Sequence, residues 1–256
     1  MSRKNFFTNL CFIVCLISIL QGCASHRPDT NPMLDKQALH LSKQAESFNE
    51  HITACKGTAW ATLETGTKHE KFKIAWAVVF PDKIRITFLI SANPIETIIA
   101  TGKKITFISH GGQHSRHSYR SKDPDMEKYI HVPIKMSEMI LILLGRFPVK
   151  EFDDAYFAPW DHSLSTIVLK QKWSGTKQHL HYTDKKNIDS IRLEDYTGQL
   201  VYKTMIREYK KYGTDNIPET LEIKDNNNRK LILEITNFIA NPPIKESIFE
   251  LTEDGS

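Results

Sequence analysis

Three histidines, His110, His114 and His117, crowd the stretch SHGGQHSRHSY. Three imidazoles could ligate Zn²⁺ or Cu²⁺, but on the tip of a hairpin this spacing sets no fixed geometry, and no carboxylate adjoins to orient the rings. The stretch is therefore read as holding no metal. His179 and His181, two apart in HLHY, share one face of a strand and are expected to meet solvent. Asp153, Asp154 and Asp161 in EFDDAYFAPWDH are expected to belong to a loop, because an acid pair needs a cleft and a partner before it performs general acid/base work. Cys55 has no CxxC partner and reads as a buried structural thiol at the end of the first helix. The chain has no G-x-S-x-G, no H-E-x-x-H, no phosphate-cradling glycine loop and no paired-cysteine metal site. The expectation is a protein that is not an enzyme and carries no cofactor.

The charge balance excludes another class. The 256 residues carry a formal charge of +4, of which Arg3 and Lys4 supply two units. What remains is too even for a nucleic-acid partner, which would call for a concentrated basic face. The short basic clusters TDKKN and REYKKYG read as solvated faces. Arg3 and Lys4 precede an apolar stretch from Phe6 to Leu20, interrupted at Thr8 and Asn9, which has the parts of an export signal. A membrane span would need about 20 apolar residues, and Gln21 stops the run earlier. Leu20-Gln21-Gly22-Cys23 resembles the lipobox of bacterial lipoproteins. That resemblance implies cleavage before Cys23 and a lipid on its thiol, and Ala24 in the following position implies sorting to the outer membrane. Residues 1–22 would then be a removed signal and residues 23–32 a polar tether reaching roughly 30 Å, with the folded domain over residues 33–256. Cys11, Cys15 and Cys23 would be removed or lipidated, which leaves Cys55 without a disulfide partner.

The elements that must position these residues follow from periodicity. Asn31-Pro32 offers a helix start, and Leu34, Ala38, Leu41, Ala45, Phe48 and Ile52 follow at helical spacing, with Gly57 as the expected stop. From there the period changes to two. Phe72, Ile74, Trp76, Val78 and Phe80 share one face, as do Ile84, Ile86, Phe88 and Ile90, with Pro81-Asp82 turning between them. Further strand-like runs are separated by short turns rich in Gly, Asn and Asp, and no βαβ alternation appears. The reading is mainly β: one large antiparallel sheet of roughly ten or eleven strands, which at that size curls. Residues 133–148, PIKMSEMILILLGRFP, break the pattern as a helix bounded by Pro133, Gly145 and Pro148. It is apolar nearly all the way round from Met139 to Leu144. A plain core helix, a buried strand and a lid over an apolar cavity all accommodate it.

In this order the elements resemble the LolA/LolB superfamily of periplasmic lipoprotein carriers and outer-membrane lipoprotein receptors, from about Leu34 to Leu251. The residues that carry the resemblance are the amphipathic first helix, the corner at Pro81, Asp82 and Arg85, the hairpin at Gly111-Gly112, the ending LLGRFP, Ile217-Pro218 before a strand, and Phe249 with Leu251 at the close. The resemblance implies a half-barrel with an N-terminal helix and a lid helix, whose concave face holds acyl chains. Trp76, Ile86, Phe88, Met139, Leu143 and Leu144 are the expected cavity lining or lid. Ile95 in SANPIET stands where the family's membrane-facing loop would lie, and an ordinary turn with one exposed Ile reads equally well. The implied protein is a monomer tethered to the outer membrane and facing the periplasm. It would bind acyl chains of lipoproteins or other envelope lipids, with a periplasmic carrier protein as a possible donor. A scaffold or sensor on the same fold is the alternative.

Overall fold

The structure is a computed structural model that describes residues 31–112, 116–183 and 187–250. The chain divides between Met33 and Leu34, and the unit beginning at Leu34 is built on one antiparallel sheet. Helix α1 spans Pro32–Ser47. Ala38, Leu41, Ser42 and Ala45 form its buried stripe, and the Ser42 hydroxyl is satisfied by the Ala38 carbonyl 3.0 Å away. The helix stops ten residues before the expected Gly57. Asn49 takes a left-handed conformation at φ 55°, and its amide donates to the carbonyls of Gly145 (2.8 Å) and Asn216 (3.0 Å). Those bonds fix a turn that a continued helix would have to break.

Strand β1, Ala54–Thr65, therefore begins where the helix was expected to continue, and Cys55 and Gly57 are strand residues. Its concave face is made of Cys55, Gly57, Ala59, Ala61 and Leu63. These side chains are small because Trp76 and its neighbours on the next strand lie across them. A Cβ on Gly57 would stand 2.2 Å from the Trp76 ring, so the glycine leaves room for an indole and does not end a helix. Strands β2 (Lys68–Val79), β3 (Lys83–Ile90), β4 (Asn93–Thr101), β5 (Lys104–Ser109) and β6 (His117–Arg120) continue the sheet outward on one side of β1. Helices α2 (Glu127–Ile130) and α3 (Met136–Leu143) follow. The second arm consists of β7 (Asp154–Phe157), β8 (Thr166–Lys170), β9 (Lys177–Tyr182), β10 (Ile188–Glu194), β11 (Leu200–Tyr212), β12 (Asp215–Asp225) and β13 (Lys230–Ala240).

The strand order is β6-β5-β4-β3-β2-β1-β13-β12-β11-β10-β9-β8-β7. Thirteen strands pair antiparallel throughout, and the two ends of the order, β6 and β7, do not meet. This is the curled open sheet of a half-barrel. The count exceeds ten or eleven because β1 has too few bulky residues to show a two-residue period, and β6 and β7 are only four residues long. One closure on sequence-distant residues joins the arms: β1 pairs with β13 from Cys55 opposite Ala240 to Glu64 opposite Lys230. The concave face carries two apolar clusters. α3 packs on the centre, against β1 to β5 and β11 to β13, while α1 packs on β8 to β10. A smaller cluster on the convex face brings Phe249 against Ala77 and Ile99. There Arg85, from the Pro81 corner, donates to the Ile248 carbonyl at 3.1 Å. Cys23, Ala24, His114 and Leu251 lie outside the described residues.

Candidate functional site

The concave face and the helix seated in it form the site. α3 is shorter than the expected 133–148. Pro133 and Ile134 precede it in a tight turn closed by the Ile134 amide on the Val132 carbonyl (2.8 Å), and Gly145 ends it at φ 72°, where a Cβ would meet Ile217 at 2.7 Å. Six of its eight residues are buried, including Glu138. A helix buried on nearly every side explains the all-round apolarity of the sequence.

Ile86, Phe88, Met139 and Leu143 line one cavity, together with Ala61, Leu63, Phe72, Ile74, Ile130, Leu231 and Leu233. No polar side chain is among them. Trp76 belongs to the same apolar cluster beneath α3, and Leu144 is fully buried within it. The six expected lining residues are thus gathered on one face, by strand alternation on β2 and β3 and by the seating of α3. The cavity measures only about 30 Å³. Ligand pockets commonly measure about 300–1,000 Å³, so α3 fills most of the concavity.

Polar contacts that the sequence did not announce hold the helix in place. Glu138 Oε1 accepts from the Tyr202 hydroxyl and lies 2.7 Å from Lys150 Nζ, and Glu138 Oε2 accepts from the Lys135 amide at 2.8 Å. A buried carboxylate with all these partners is satisfied, and it ties both ends of the α3 segment to β11. Burial, reinforced by Glu138, pushes the Tyr202 hydroxyl well above its ordinary pKa, so it stays a donor. At the other end Trp76 donates to Cys55 Sγ (3.3 Å), and the Cys55 thiol donates to the Leu143 carbonyl (3.1 Å). Burial pushes that thiol up to about 12, which makes it a structural group and not a nucleophile. At the open end Arg229, in the β12–β13 turn, pairs with Glu127 of α2 at 2.6 Å.

His179 and His181 line a second, polar cavity of about 470 Å³ with Trp160, Asp189, Arg192 and Glu194, and the other residues of chemical interest do not join them. His110 Nε2 lies 2.9 Å from Thr97 Oγ1, and His117 stacks on Phe107 at 4.9 Å. Among the described residues no three ligating side chains come together as a metal site would require. Asp161 lies in the β7–β8 loop and accepts bonds from the amides and hydroxyls of Ser163 and Ser165. Those bonds hold its carboxyl below the usual carboxylate range. Asp154 opens β7 and does not belong to the loop as expected. His179 departs from expectation as well. It is 8% exposed, under the Trp160 ring whose centroid is 5.6 Å away. Its Nε2 stands 3.2 Å from Glu194 Oε2 without the alignment of a hydrogen bond. A neighbouring loop supplied the cover, which no two-residue period can show. At the β3–β4 hairpin, Ile90 ends β3 and is 58% exposed, and Ile95 is 37% exposed in β4 and not in the loop or turn expected. Ser91 and Ala92 between them both take positive φ, as a tight hairpin turn requires.

No protein-family model matches the chain, and no curated protein matches it by sequence. Solved structures do. A LolA superfamily protein from Nitrosomonas europaea superposes with a TM-score of 0.55 at 7% identity, over 83% of this chain and 96% of that one. A domain ascribed to outer membrane lipoprotein sorting, from Vibrio parahaemolyticus, gives 0.55 at 12% identity, over 84% and 97%. A DUF1329 family protein from Desulfovibrio piger gives 0.51 at 10% identity, over 86% and 98%. Such identities speak for architecture alone, and the open thirteen-stranded sheet with its seated helix has the fold of the LolA superfamily.

Proposed function

We propose that this protein binds acyl chains of lipoproteins or other envelope lipids in the concavity that α3 covers, and delivers them at the outer membrane. In this reading Cys23 carries the lipid that tethers it, facing the periplasm, and no covalent chemistry is needed. The observation that carries the reading is the wholly apolar lining under the helix α3. Acyl binding stabilises by about 0.8 kcal/mol per buried CH₂, so a chain could replace the contacts that α3 makes with the sheet. Because α3 fills the concavity, uptake requires α2 and α3 to shift. A bilayer or donor that favours the open state then sets the direction of transfer. A periplasmic carrier fits the role of donor.

The test is to purify the full chain from an envelope with its own signal, identify copurifying lipid by mass spectrometry and titrate a fluorescent fatty acid. Bound lipid, and saturable uptake weakened by Phe88→Glu at the cavity, are expected. No lipid and no uptake would sink the carrier reading. The cavity of about 30 Å³ favours a second reading, a scaffold or sensor whose concavity is simply core. That reading predicts no uptake even after the α3 contacts are loosened.

A further inference from the structure

The antiparallel order places the β1–β2, β3–β4, β5–β6, β8–β9, β10–β11 and β12–β13 turns at one end of the sheet. The cavity lies toward that same end: Leu63, Phe88 and Leu231 sit within two residues of their strands' turn-proximal ends. On one arm this rim carries Ile90 and Ile95. On the other it carries Trp173, 98% exposed in the β8–β9 turn, and Tyr196, 79% exposed in the β10–β11 turn. The two turns touch, since a Cβ on Gly175 would stand 3.0 Å from Tyr196 Cβ.

The rings are held outward by built turns. Asp195 Oδ1 accepts from the Thr197 amide (2.8 Å), the Thr197 hydroxyl (2.6 Å) and the Gln199 amide (3.0 Å). Ser174 Oγ donates to Gln171 Oε1 at 2.7 Å. A tryptophan and a tyrosine projected into water from fixed turns gain nothing for the fold, but an apolar ring with a polar edge suits the bilayer interface. The charge on these turns fits the same surface. Lys68, Arg116 and Lys172 are exposed, while the acidic residues beside the rings are engaged: Asp195 by its own loop, Asp153 by the Lys172 amide (2.7 Å) and Asp154 by Lys172 Nζ (3.8 Å).

We infer that the Trp173 and Tyr196 turns form a second interfacial anchor, which seats the cavity end of the half-barrel on an anionic phospholipid surface. This rests on the membrane-apposed reading above and adds the orientation. The test uses the full chain reconstituted in vesicles of phosphatidylglycerol or phosphatidylcholine that carry a spin-labelled lipid near the headgroup. Tryptophan emission should be quenched more in phosphatidylglycerol, less at high salt, and the quenched component should disappear in Trp173→Phe. The position is so exposed that the variant should fold. Unquenched emission, or quenching that survives Trp173→Phe, would overturn the anchor. Fatty-acid uptake measured on the same samples separates the two ideas: uptake without quenching removes the anchor alone, and loss of uptake with quenching intact removes the carrier alone.

Discussion

At the scale of single residues, two positions carry more than their types suggest. Gly57 has ordinary strand geometry, yet any side chain there collides with the Trp76 ring. Gly57→Ala should cost about 1–3 kcal/mol, measured as a lower urea midpoint, with altered near-ultraviolet dichroism from a displaced indole. His179 is the second. Burial lowers its pKa from the ordinary 6.5, and Glu194 opposes the shift without reversing it. With the folded value below the unfolded one, the unfolded chain binds the extra proton first. The stability is therefore fully present above about pH 6.5 and is lost as the pH falls toward the folded value. Urea midpoints should drop between pH 7.5 and 5.5, and His179→Gln should reduce that drop. An equal drop in the variant would assign it to other groups. Neither role was legible in the sequence: a glycine at a period change reads as a boundary, and a histidine on an alternating strand reads as exposed. Both depend on a ring supplied from elsewhere in the chain, by β2 in one case and the β7–β8 loop in the other.

At the scale of elements, α3 is a predominantly apolar helix whose hold on the sheet depends on a few polar contacts. Tyr202→Phe removes the hydroxyl that Glu138 Oε1 accepts and leaves the ring in place. The loss should be about 1.5–3 kcal/mol, the usual worth of a hydrogen bond to a charged group, since Lys150 still partners the same oxygen. If α3 is a lid, the same variant should take up fluorescent fatty acid faster than wild type despite its lower stability, and stopped-flow fluorescence reads that rate. A destabilised protein with unchanged uptake would make the contact merely structural. The sequence revealed the apolar stretch and its boundary glycine, because both are local. It could not reveal the contact, because Glu138 and Tyr202 are brought together only when β11 passes beneath α3. β1 escaped for a related reason: its concave face is small so that Trp76 can lie across it, and small residues show no two-residue period.

At the scale of the whole molecule, the predicted consequence of the proposed anchor is separable from the fold. Cys23→Ala should release the full chain from membrane pellets washed at high salt, where the Trp173 and Tyr196 turns no longer hold it, while its fatty-acid uptake in detergent-free buffer stays at the wild-type level. Loss of uptake alongside release would mean that the lipid also completes the binding site. The sequence by itself determined the antiparallel class, the curl implied by so many strands, and the face on which Ile86 and Phe88 lie, because alternation and turn chemistry are encoded within a few residues of each position. Only the tertiary structure decided what those faces enclose. The β1–β13 closure, the depth to which α3 sinks, the remaining cavity of about 30 Å³ and the common end shared by Ile95, Trp173 and Tyr196 all come from contacts between distant segments. Such contacts are fixed by packing against the curled sheet, and packing is a property of the assembled whole and of no local stretch of the chain.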